Sequence, residues 1–427
     1  MEFTGSQILT GESGKATARL DEKNRATERA LQTRNLTSAR AIEIVRASFG
    51  DGLRAIVLTG SLARDEATII EHSQGSELLG DADFLMAFSA GSPMPRVVEE
   101  AALSQRIEEI LLKEGLRCTV HAHAVSPQYF QTLPPAIFSY ELRNCGRVVW
   151  GDPGILRLIP DFSAADLPRE DAWRMLCNRM IEHLAFVHRL SPDSAELPTD
   201  LHYATVKLFL DMATSYLVFA RQYAPSYQER AKRLQSMAAN SVANAPFPLA
   251  KFAMRVSECT MWKLTGDDVY CESGVELWKE AISYMRRLWR WQAMELAGKT
   301  GILTVAELSR ELARRQTAKQ RLRGWASLVK RRGGLKNAAQ WPRWVTIAFQ
   351  ATPRYLVYQA AAEVAFRLPC LVKHSGQPPR LDVNWAELRA LLPERTPQSR
   401  YTDEALWRKL VDDVLWNYSQ FLEGTTA

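Results

Sequence analysis

Two aspartates separated by a single residue are the first candidates for chemistry in this sequence. Asp81 and Asp83 stand at the start of an apolar run that continues through residues 84–86. In a strand, alternate side chains point to the same face, so we expect the two carboxylates to lie side by side. Neighbouring carboxylates disfavour each other's ionisation unless a cation lies between them, and Mg²⁺ and Mn²⁺ prefer oxygen ligands. The pair therefore predicts a divalent metal site.

A Gly-Ser turn upstream supplies a complementary feature. Gly60 and Ser61 follow the apolar run 56–58, and we expect residues 62–71 to form a short polar helix after them. Glycine lets the backbone approach a ligand closely, and the free amides at a helix N-terminus bind anionic phosphate. A phosphate-binding turn beside a metal-binding carboxylate pair is the equipment of metal-dependent phosphoryl or nucleotidyl transfer.

An apolar strand, a Gly-Ser turn and an Asp-x-Asp strand in this order resemble the nucleotidyltransferases of the DNA polymerase β type. The residues at the motif positions are Gly60, Ser61, Asp81 and Asp83. Arg64 also matches the Gly-Ser-x-Ala-Arg form of bacterial members, and the resemblance covers about residues 41–152. Nineteen residues separate Ser61 from Asp81, which is more than the family usually has, so we expect residues 68–79 to form a lengthened loop.

The resemblance implies a reaction. Asp81 and Asp83 would hold Mg²⁺ or Mn²⁺. The triphosphate of an NTP substrate would be bound by Gly60, Ser61 and Arg64. A nucleoside monophosphate would then move to a hydroxyl of an unknown small-molecule or macromolecular acceptor.

Active members of the family carry a third carboxylate on a later strand, where it takes the proton from the attacking hydroxyl. The strand that we predict over residues 116–125 contains no Asp or Glu, and its alternation places Thr119, His121 and His123 on one face. Imidazole can act as a base or a metal ligand near neutral pH, so His121 and His123 are catalytic candidates. In two alternatives, both histidines are structural, or the chain binds nucleotide without turning it over. Glu141 is a nearby carboxylate that we expect to be a structural partner on a helix.

A lysine in the helical part of the chain is a further candidate for nucleotide binding. Lys207 precedes Asp211 by four residues, so the two side chains share one face of a helix. Lys207 either reaches the triphosphate or forms a surface ion pair with Asp211.

A basic block lies in the last third of the chain. No acidic residue occurs between Glu311 and Glu363, where eleven basic residues fall. They are Arg314, Arg315, Lys319, Arg321, Arg323, Lys330, Arg331, Arg332, Lys336, Arg343 and Arg354. Such a block attracts polyanions, so segment 314–354 is expected to bind RNA or DNA, or an anionic membrane surface through its tryptophans, unless it is only a solvated basic face. With RNA as the acceptor, the chain would be a terminal transferase.

The apolar periodicity predicts an α+β protein with a small mixed sheet followed by largely α-helical C-terminal domains. The resemblance implies that the sheet region is a nucleotidyltransferase core and that the first helical domain closes on the nucleotide. We therefore divide the chain into a disordered tail, a nucleotidyltransferase-like catalytic domain, this helical domain, and a basic, Trp-rich helical region. Their predicted bounds are 1–22, 23–160, 165–295 and 300–427.

Composition favours a cytoplasmic protein. Hydrophobic residues make up 46% and charged residues 24% of the chain, as in ordinary globular proteins. The polar N-terminus argues against a signal peptide, and no apolar run is long enough to predict a transmembrane segment. The six cysteines lack metal-site spacing and are expected to be reduced.

The aspartate pair, the Gly-Ser turn and the resemblance together predict a Mg²⁺-dependent nucleotidyltransferase, with a catalytically inactive nucleotide-binding scaffold as the alternative.

Overall fold

A computed structural model describes residues 7–186, 189–190, 196–240, 245–331, 340–372, 383–394 and 403–422. The chain forms two compact units. Unit 1 comprises Met1–Leu167, Tyr223–Arg233 and Arg255–Cys271, and unit 2 comprises Pro168–Gln222, Leu234–Met254 and Glu272–Ala427.

The sheet lies entirely in unit 1. Up to residue 167 the elements are α1 (Gln7–Phe49), β1 (Leu53–Thr59), α2 (Gly60–Ala63), β2 (Thr68–His72), β3 (Gly75–Phe88), α3 (Val97–Lys113), β4 (Leu116–Val125), α4 (Pro127–Thr132), α5 (Ile137–Cys145) and β5 (Arg147–Gly151). Short 3₁₀ turns occupy Gly50–Gly52, Ile155–Leu158 and Ala164–Asp166.

Helices make up the rest of the described chain. They are α6 (Arg169–Leu184), α7 (Thr199–Phe219), α8 (Tyr227–Ala239), α9 (Leu249–Thr265), α10 (Val275–Ala297), α11 (Val305–Arg314), α12 (Ala318–Arg331), α13 (Trp341–Ala348), α14 (Pro353–Ala365), α15 (Leu368–Val372), α16 (Trp385–Leu391) and α17 (Asp403–Leu422). No helix in the described part of the chain combines the length and hydropathy that crossing a membrane requires.

Strand β3 organises the sheet. Its first half, from residue 75 to 79, pairs antiparallel with β2, and its second half, from 83 to 88, pairs antiparallel with β1. Strand β4 pairs parallel with β3 along residues that overlap both halves, so it must occupy the opposite edge of β3. Strand β5 extends the sheet on the far side of β1.

The two faces of the sheet are covered differently. Ala82, Phe84 and Met86 of β3 pack into a core shared with α1 and α3. Leu85 and Ala87 point to the other face, where they pack with apolar residues of α4, α5 and the turn that follows β5. Residues 81 and 83 belong to this second face by alternation, but they precede the covered part of it.

Helix α3 protects the outer edge of β4. The backbone N–H groups of Val120, Ala122 and Ala124 point away from β3 and are unpaired within the sheet. Their acceptors are Glu108 Oε1 at 2.7 Å, Ser104 Oγ at 3.1 Å and Glu100 Oε1 at 3.0 Å, respectively. An exposed sheet edge is a template for aggregation, and these three side chains close it.

One predicted element agrees with the structure in its bounds. Strand β4 covers residues 116–125, as the alternation predicts. The organisation as a small mixed sheet followed by helices is confirmed.

Other expectations were wrong. The helix predicted over 62–71 is a single turn, α2, followed by strand β2. The expected loop over 68–79 is a hairpin, in which His72 pairs with Gly75 across a two-residue turn. The β-branched residues 68–70 favour a strand, and Gly75 with φ +132° suits the turn. Residues 7–22 of the predicted disordered tail form the start of α1, although this stretch contains two glycines and two alanines.

Unit 2 has a core of aromatic side chains. Trp173 of α6 lies 6.2 Å from Trp289 of α10 between ring centroids, and 5.2 and 5.6 Å from Tyr355 and Tyr358 of α14. Helices from the predicted 165–295 and 300–427 regions thus share one core. The structure therefore joins most of these two predicted regions in one unit and assigns segments 223–233 and 255–271 to the other.

Candidate functional site

Asp81 and Asp83 lie on the same face of β3, as the alternation predicts. The Asp81 side chain is 47% exposed, and Asp83 is half-buried. Both precede the part of this face that Leu85 and Ala87 bury. The structure therefore presents two neighbouring carboxylates on an uncovered stretch of sheet.

Gly60 places the Gly-Ser turn directly against Asp83. Thr59, the last residue of β1, pairs with Asp83, and Gly60 follows with φ +77°. A methyl group at Gly60 would lie 3.1 Å from Asp83 Oδ2, which is closer than ordinary van der Waals contact. A Cβ at this position would require the carboxylate to shift by a few tenths of an ångström, and glycine avoids that shift.

The turn itself is tighter than the sequence suggested. Helix α2 has four residues, and the Ser61 carbonyl accepts the N–H groups of Arg64 and Glu66 at 3.2 and 2.9 Å. A helix this short has a much smaller dipole than a full helix, so little phosphate attraction comes from that source. The contribution of Gly60 is close approach of the backbone to the Asp83 carboxylate.

His121 faces the aspartate pair from the next strand. It pairs with Asp83 in the parallel register of β3 and β4, and its Nε2 lies 3.9 Å from Asp81 Oδ1. The His121 side chain is 48% exposed. The predicted alternation of β4 is confirmed, because Thr119 and His121 are exposed while Val120 and Ala122 are buried.

His123 lies one step further along the same face. Its ring stacks on that of His121 with centroids 6.2 Å apart and planes 10° apart. His123 Nδ1 lies 3.4 Å from Glu100 Oε2, while the other oxygen of Glu100 accepts the backbone N–H of Ala124. Glu100 is thus a residue near the site that the sequence motifs do not include. The sequence feature that points to it is its spacing of four residues from Ser104, which places both side chains on one face of the helix ahead of β4.

The donor set suits a metal that arrives with its substrate. In the described part of the chain, no three His, Cys, Asp or Glu side chains are grouped so as to hold a metal ion by themselves. Mg²⁺ is commonly held by one or two carboxylates, several waters and the phosphate oxygens of a nucleotide. Asp81 and Asp83 fit that requirement, because they are accessible and share one face.

Arg64 lies in a buried ion-pair network instead of on an open surface. Its side chain is 7% exposed, and the guanidinium donates to Glu66 at 3.1 Å and to Glu141 at 2.7 Å. Burial lowers the pKa of Arg64, but the charges of Glu141, Tyr227 and Glu66 outweigh this and raise it above its ordinary value. The Arg64 guanidinium is thus paired with two carboxylates, and the phosphate contact that the resemblance implied stays a prediction.

Glu141 is the centre of this network. The Tyr223 hydroxyl and the Arg230 guanidinium both donate to its Oε1, and Arg64 donates to Oε2. Burial raises the pKa of Glu141, but the positive charges of Arg64 and Arg230 outweigh it and leave the pKa below its ordinary value. The expectation that Glu141 is a structural partner on a helix is confirmed.

Segments from later in the chain complete unit 1 by similar contacts. Glu66 Oε1 accepts the Ser226 hydroxyl and the Tyr227 N–H, both at 2.8 Å. Thr68 Oγ1 donates to the Lys263 carbonyl at 2.7 Å and accepts from Lys263 Nζ at 3.0 Å. These contacts could not be predicted from the sequence, because their partners are at least 160 residues apart.

Lys207 belongs to unit 2, and its predicted phosphate contact stays a prediction. Its Nζ lies 5.4 Å from the centre of the Tyr203 ring. Asp211, the expected ion-pair partner, instead accepts Arg179 Nε at 2.5 Å.

The basic block is divided between structural and exposed residues. Arg321 donates to the carbonyls of Phe349 and Ala313, and Arg343 to those of Pro393 and Ala390. The block's exposed basic side chains are Arg314, Arg315, Lys319, Arg323 and Lys330. Arg332 and Lys336, and the side chain of Arg331, lie outside the described residues.

Cys118 on β4 is not suited to be a nucleophile. It packs in the core on the opposite face to His121. Burial, followed by the negative charge of Asp81, raises the pKa of the Cys118 thiol to about 12. A thiol with this pKa stays protonated at neutral pH.

Comparison of the chain with protein-family models, with curated proteins and with solved structures finds no match.

Proposed function

We propose that this chain is a Mg²⁺-dependent nucleotidyltransferase that moves a nucleoside monophosphate from an NTP to a hydroxyl of a small-molecule or macromolecular acceptor. The observation that carries the proposal is the close approach of the Gly60 backbone to the Asp83 carboxylate, beside the exposed carboxylate of Asp81. A metal held by these carboxylates would lie next to backbone that can approach a triphosphate.

In the proposed reaction, the acceptor oxygen attacks the α-phosphorus and forms the new P–O bond. The bond from that phosphorus to the bridging oxygen breaks, and pyrophosphate leaves with the electron pair. When bound, Mg²⁺ neutralises the negative charge of the phosphates. Asp81 and Asp83 would hold the Mg²⁺ ion at the sheet surface.

His121 is the proposed acceptor of the proton from the attacking hydroxyl. Its exposed ring has Nε2 3.9 Å from Asp81 Oδ1, so a neutral imidazole can take a proton beside the carboxylate pair. His123 is a second candidate on the same face, with Glu100 beside its Nδ1.

Calorimetric titration of an NTP in the presence and absence of Mg²⁺ tests the metal and nucleotide site. We expect Mg²⁺-dependent binding that weakens at least about tenfold in Asp81→Asn and Asp83→Asn, a change of about 1.4 kcal/mol. Glu71→Gln is the matched control, because Glu71 is an exposed carboxylate on the neighbouring strand β2. Binding that is independent of Mg²⁺, or equal in all variants, would refute the site.

A catalytically inactive nucleotide-binding scaffold is the second candidate. The observation that favours it is the composition of the β4 face, where Thr119, His121 and His123 stand and no carboxylate does. Pyrophosphate release measured across classes of hydroxyl acceptor separates the two. The enzyme predicts release that His121→Ala reduces while Mg²⁺-dependent NTP binding persists. The scaffold predicts binding with no release for any acceptor.

A further inference from the structure

Helices α12 and α13 in unit 2 expose an unusual number of large apolar side chains. Leu322 is 72% exposed, Phe349 78%, Val345 57% and Trp341 39%. Single exposed apolar residues are common on protein surfaces, but a contiguous group marks a binding surface.

The exposed residues belong to one surface. On α12, Leu322, Trp325 and Val329 follow the three-and-four spacing of a single helix face. Arg321 donates to the carbonyl of Phe349 at 2.8 Å, which places the end of α13 beside the start of α12. Between the helices is an apolar groove of about 170 Å³, lined by Trp325, Val329, Trp341, Trp344, Val345 and Ala348.

The inner tryptophans fix this pair of helices to the rest of unit 2. Trp325 Nε1 donates to the Ala351 carbonyl at 3.0 Å, and Trp344 Nε1 to the Pro393 carbonyl at 2.8 Å. Both rings are buried, with centroids 6.2 Å apart. The buried tryptophans therefore hold the two helices in place, and the exposed apolar side chains are not needed for that packing.

The charged residues of α12 and α13 are all basic. Lys319, Arg323 and Lys330 on α12 are exposed, and residues 312–362 contain no Asp or Glu. Cationic amphipathic helices with aromatic and aliphatic side chains on one face lie in the headgroup region of anionic membranes. A protein partner would need a complementary acidic and apolar surface, whereas an anionic bilayer has both properties in one layer.

We propose that α12 and α13 form a docking surface for an anionic phospholipid bilayer. Leu322, Val345 and Phe349 enter the interface between headgroups and acyl chains, and the basic residues of α12 contact lipid phosphates. Nucleic acid is disfavoured because aliphatic side chains such as Leu322 and Val345 add nothing to contacts with phosphate. This inference is independent of the nucleotidyltransferase proposal, because it uses only residues of unit 2.

Sedimentation of the full-length protein with lipid vesicles tests the proposal. Vesicles of phosphatidylcholine alone are compared with vesicles of equal parts phosphatidylcholine and phosphatidylglycerol. We expect binding to the second kind only, and a loss of at least tenfold in affinity for the double variant Val345→Ser/Phe349→Ser. Ile302→Ser is the matched control, because Ile302 is an exposed apolar residue of unit 2 outside these helices.

Charge variants provide an independent arm. Lys319→Gln/Arg323→Gln is expected to weaken vesicle binding, while Arg286→Gln/Arg287→Gln on the exposed side of α10 leaves it unchanged. Absence of binding to phosphatidylglycerol vesicles would overturn the proposal, as would equal binding by the Val345/Phe349 variant. Salt-sensitive binding to RNA, together with absent vesicle binding, would assign the surface to nucleic acid and also overturn it.

Discussion

Gly60 is the residue on which the geometry of the candidate site depends most closely. Its φ of +77° favours glycine, and the space that its Cβ would occupy is limited by Asp83 Oδ2 at 3.1 Å. Gly91 has a similar φ of +82°, but no atom lies within 4 Å of the position its Cβ would take. Substitution at Gly91 would therefore strain the backbone alone, whereas substitution at Gly60 would also displace the carboxylate.

Alanine substitution at these two positions gives a matched pair. Both Gly60→Ala and Gly91→Ala are expected to lose about 1–2 kcal/mol of stability, because alanine is strained at positive φ. Gly60→Ala alone should also weaken Mg²⁺-dependent NTP binding, because the new methyl group moves the Asp83 carboxylate. Thermal melting and calorimetric titration of both variants measure the two effects. Equal nucleotide affinity in the two variants would contradict the role of Gly60.

The ion-pair network around Glu141 shows how a site-adjacent residue becomes structural. Arg64 and Arg230 converge on one carboxylate whose side chain is 19% exposed. Removing one partner from a buried ion pair costs more than the pair contributes, because the remaining charges stay buried without compensation. Arg64 is thus expected to affect stability of unit 1 before it affects nucleotide binding.

Glu141→Gln is expected to destabilise the protein by about 3 kcal/mol, since two buried guanidinium groups lose their counterion. The effect depends on pH with a defined sign. The pKa of Glu141 is held below its ordinary value of 4.5, so its stabilisation is complete above pH 4.5 and is lost as the pH falls below it. The thermal midpoints of the unsubstituted protein and of Glu141→Gln should therefore converge as the pH falls below 4.5. A constant difference between them over that range would contradict this account.

Among the elements, α3 has a role that its amphipathic pattern does not reveal. Residues 100, 104 and 108 are spaced by one helical repeat of four, about 6 Å, and their partners at 124, 122 and 120 are spaced by about 6.6 Å along β4. This near match lets one helix satisfy three successive outward N–H groups of a strand. The strand so protected is the one that carries His121 and His123.

Glu108→Ala removes the acceptor of the Val120 N–H and should cost about 1–3 kcal/mol. Amide hydrogen exchange is expected to increase at Val120, with smaller changes at Ala124, whose acceptor is Glu100. Glu108→Gln is the control, because its side-chain amide keeps an acceptor oxygen. Unchanged protection of Val120 in the alanine variant would mean that the bond does not support the edge.

Strand and helix bounds were predictable where one periodicity ran without interruption. Strand β4 alternates over its full length, and α3 repeats apolar residues at 103, 107 and 111. The β2 hairpin was missed because Ala63 and Glu66 favour a helix locally, whereas pairing with β3 decides the structure of the residues that follow. The aspartate pair and its histidine neighbour were predictable from alternation, but Arg64 was not, because its partner Glu141 is 77 residues away in sequence.

At the scale of the whole molecule, the proposed chemistry and the proposed membrane surface lie in different units. The metal and nucleotide residues belong to unit 1, whereas α12, α13 and the exposed basic side chains belong to unit 2. Unit 1 is not continuous in sequence, because segments 223–233 and 255–271 complete it. These segments supply Arg230 to Glu141 and Lys263 to Thr68.

A fragment ending at Leu167 is therefore expected to fold poorly, although it contains the whole sheet. It keeps Arg64 but lacks the later partners of Glu141, Glu66 and Thr68, which are Tyr223, Arg230, Ser226, Tyr227 and Lys263. Buried polar groups would then lose hydrogen bonds. We expect the fragment to melt at a lower temperature than the full chain, or without a cooperative transition. A cooperative melt at the temperature of the full chain would show that the two later segments are dispensable.

The most direct measurement of the central claim is the position of a bound metal. Crystals of the protein grown with Mn²⁺ and a non-hydrolysable NTP analogue allow the metal to be located by anomalous scattering. We predict a Mn²⁺ peak at about 2.0–2.3 Å from carboxylate oxygens of Asp81 and Asp83, with the triphosphate beside Gly60 and Ser61. A peak away from both aspartates, or none with nucleotide bound, would contradict the account.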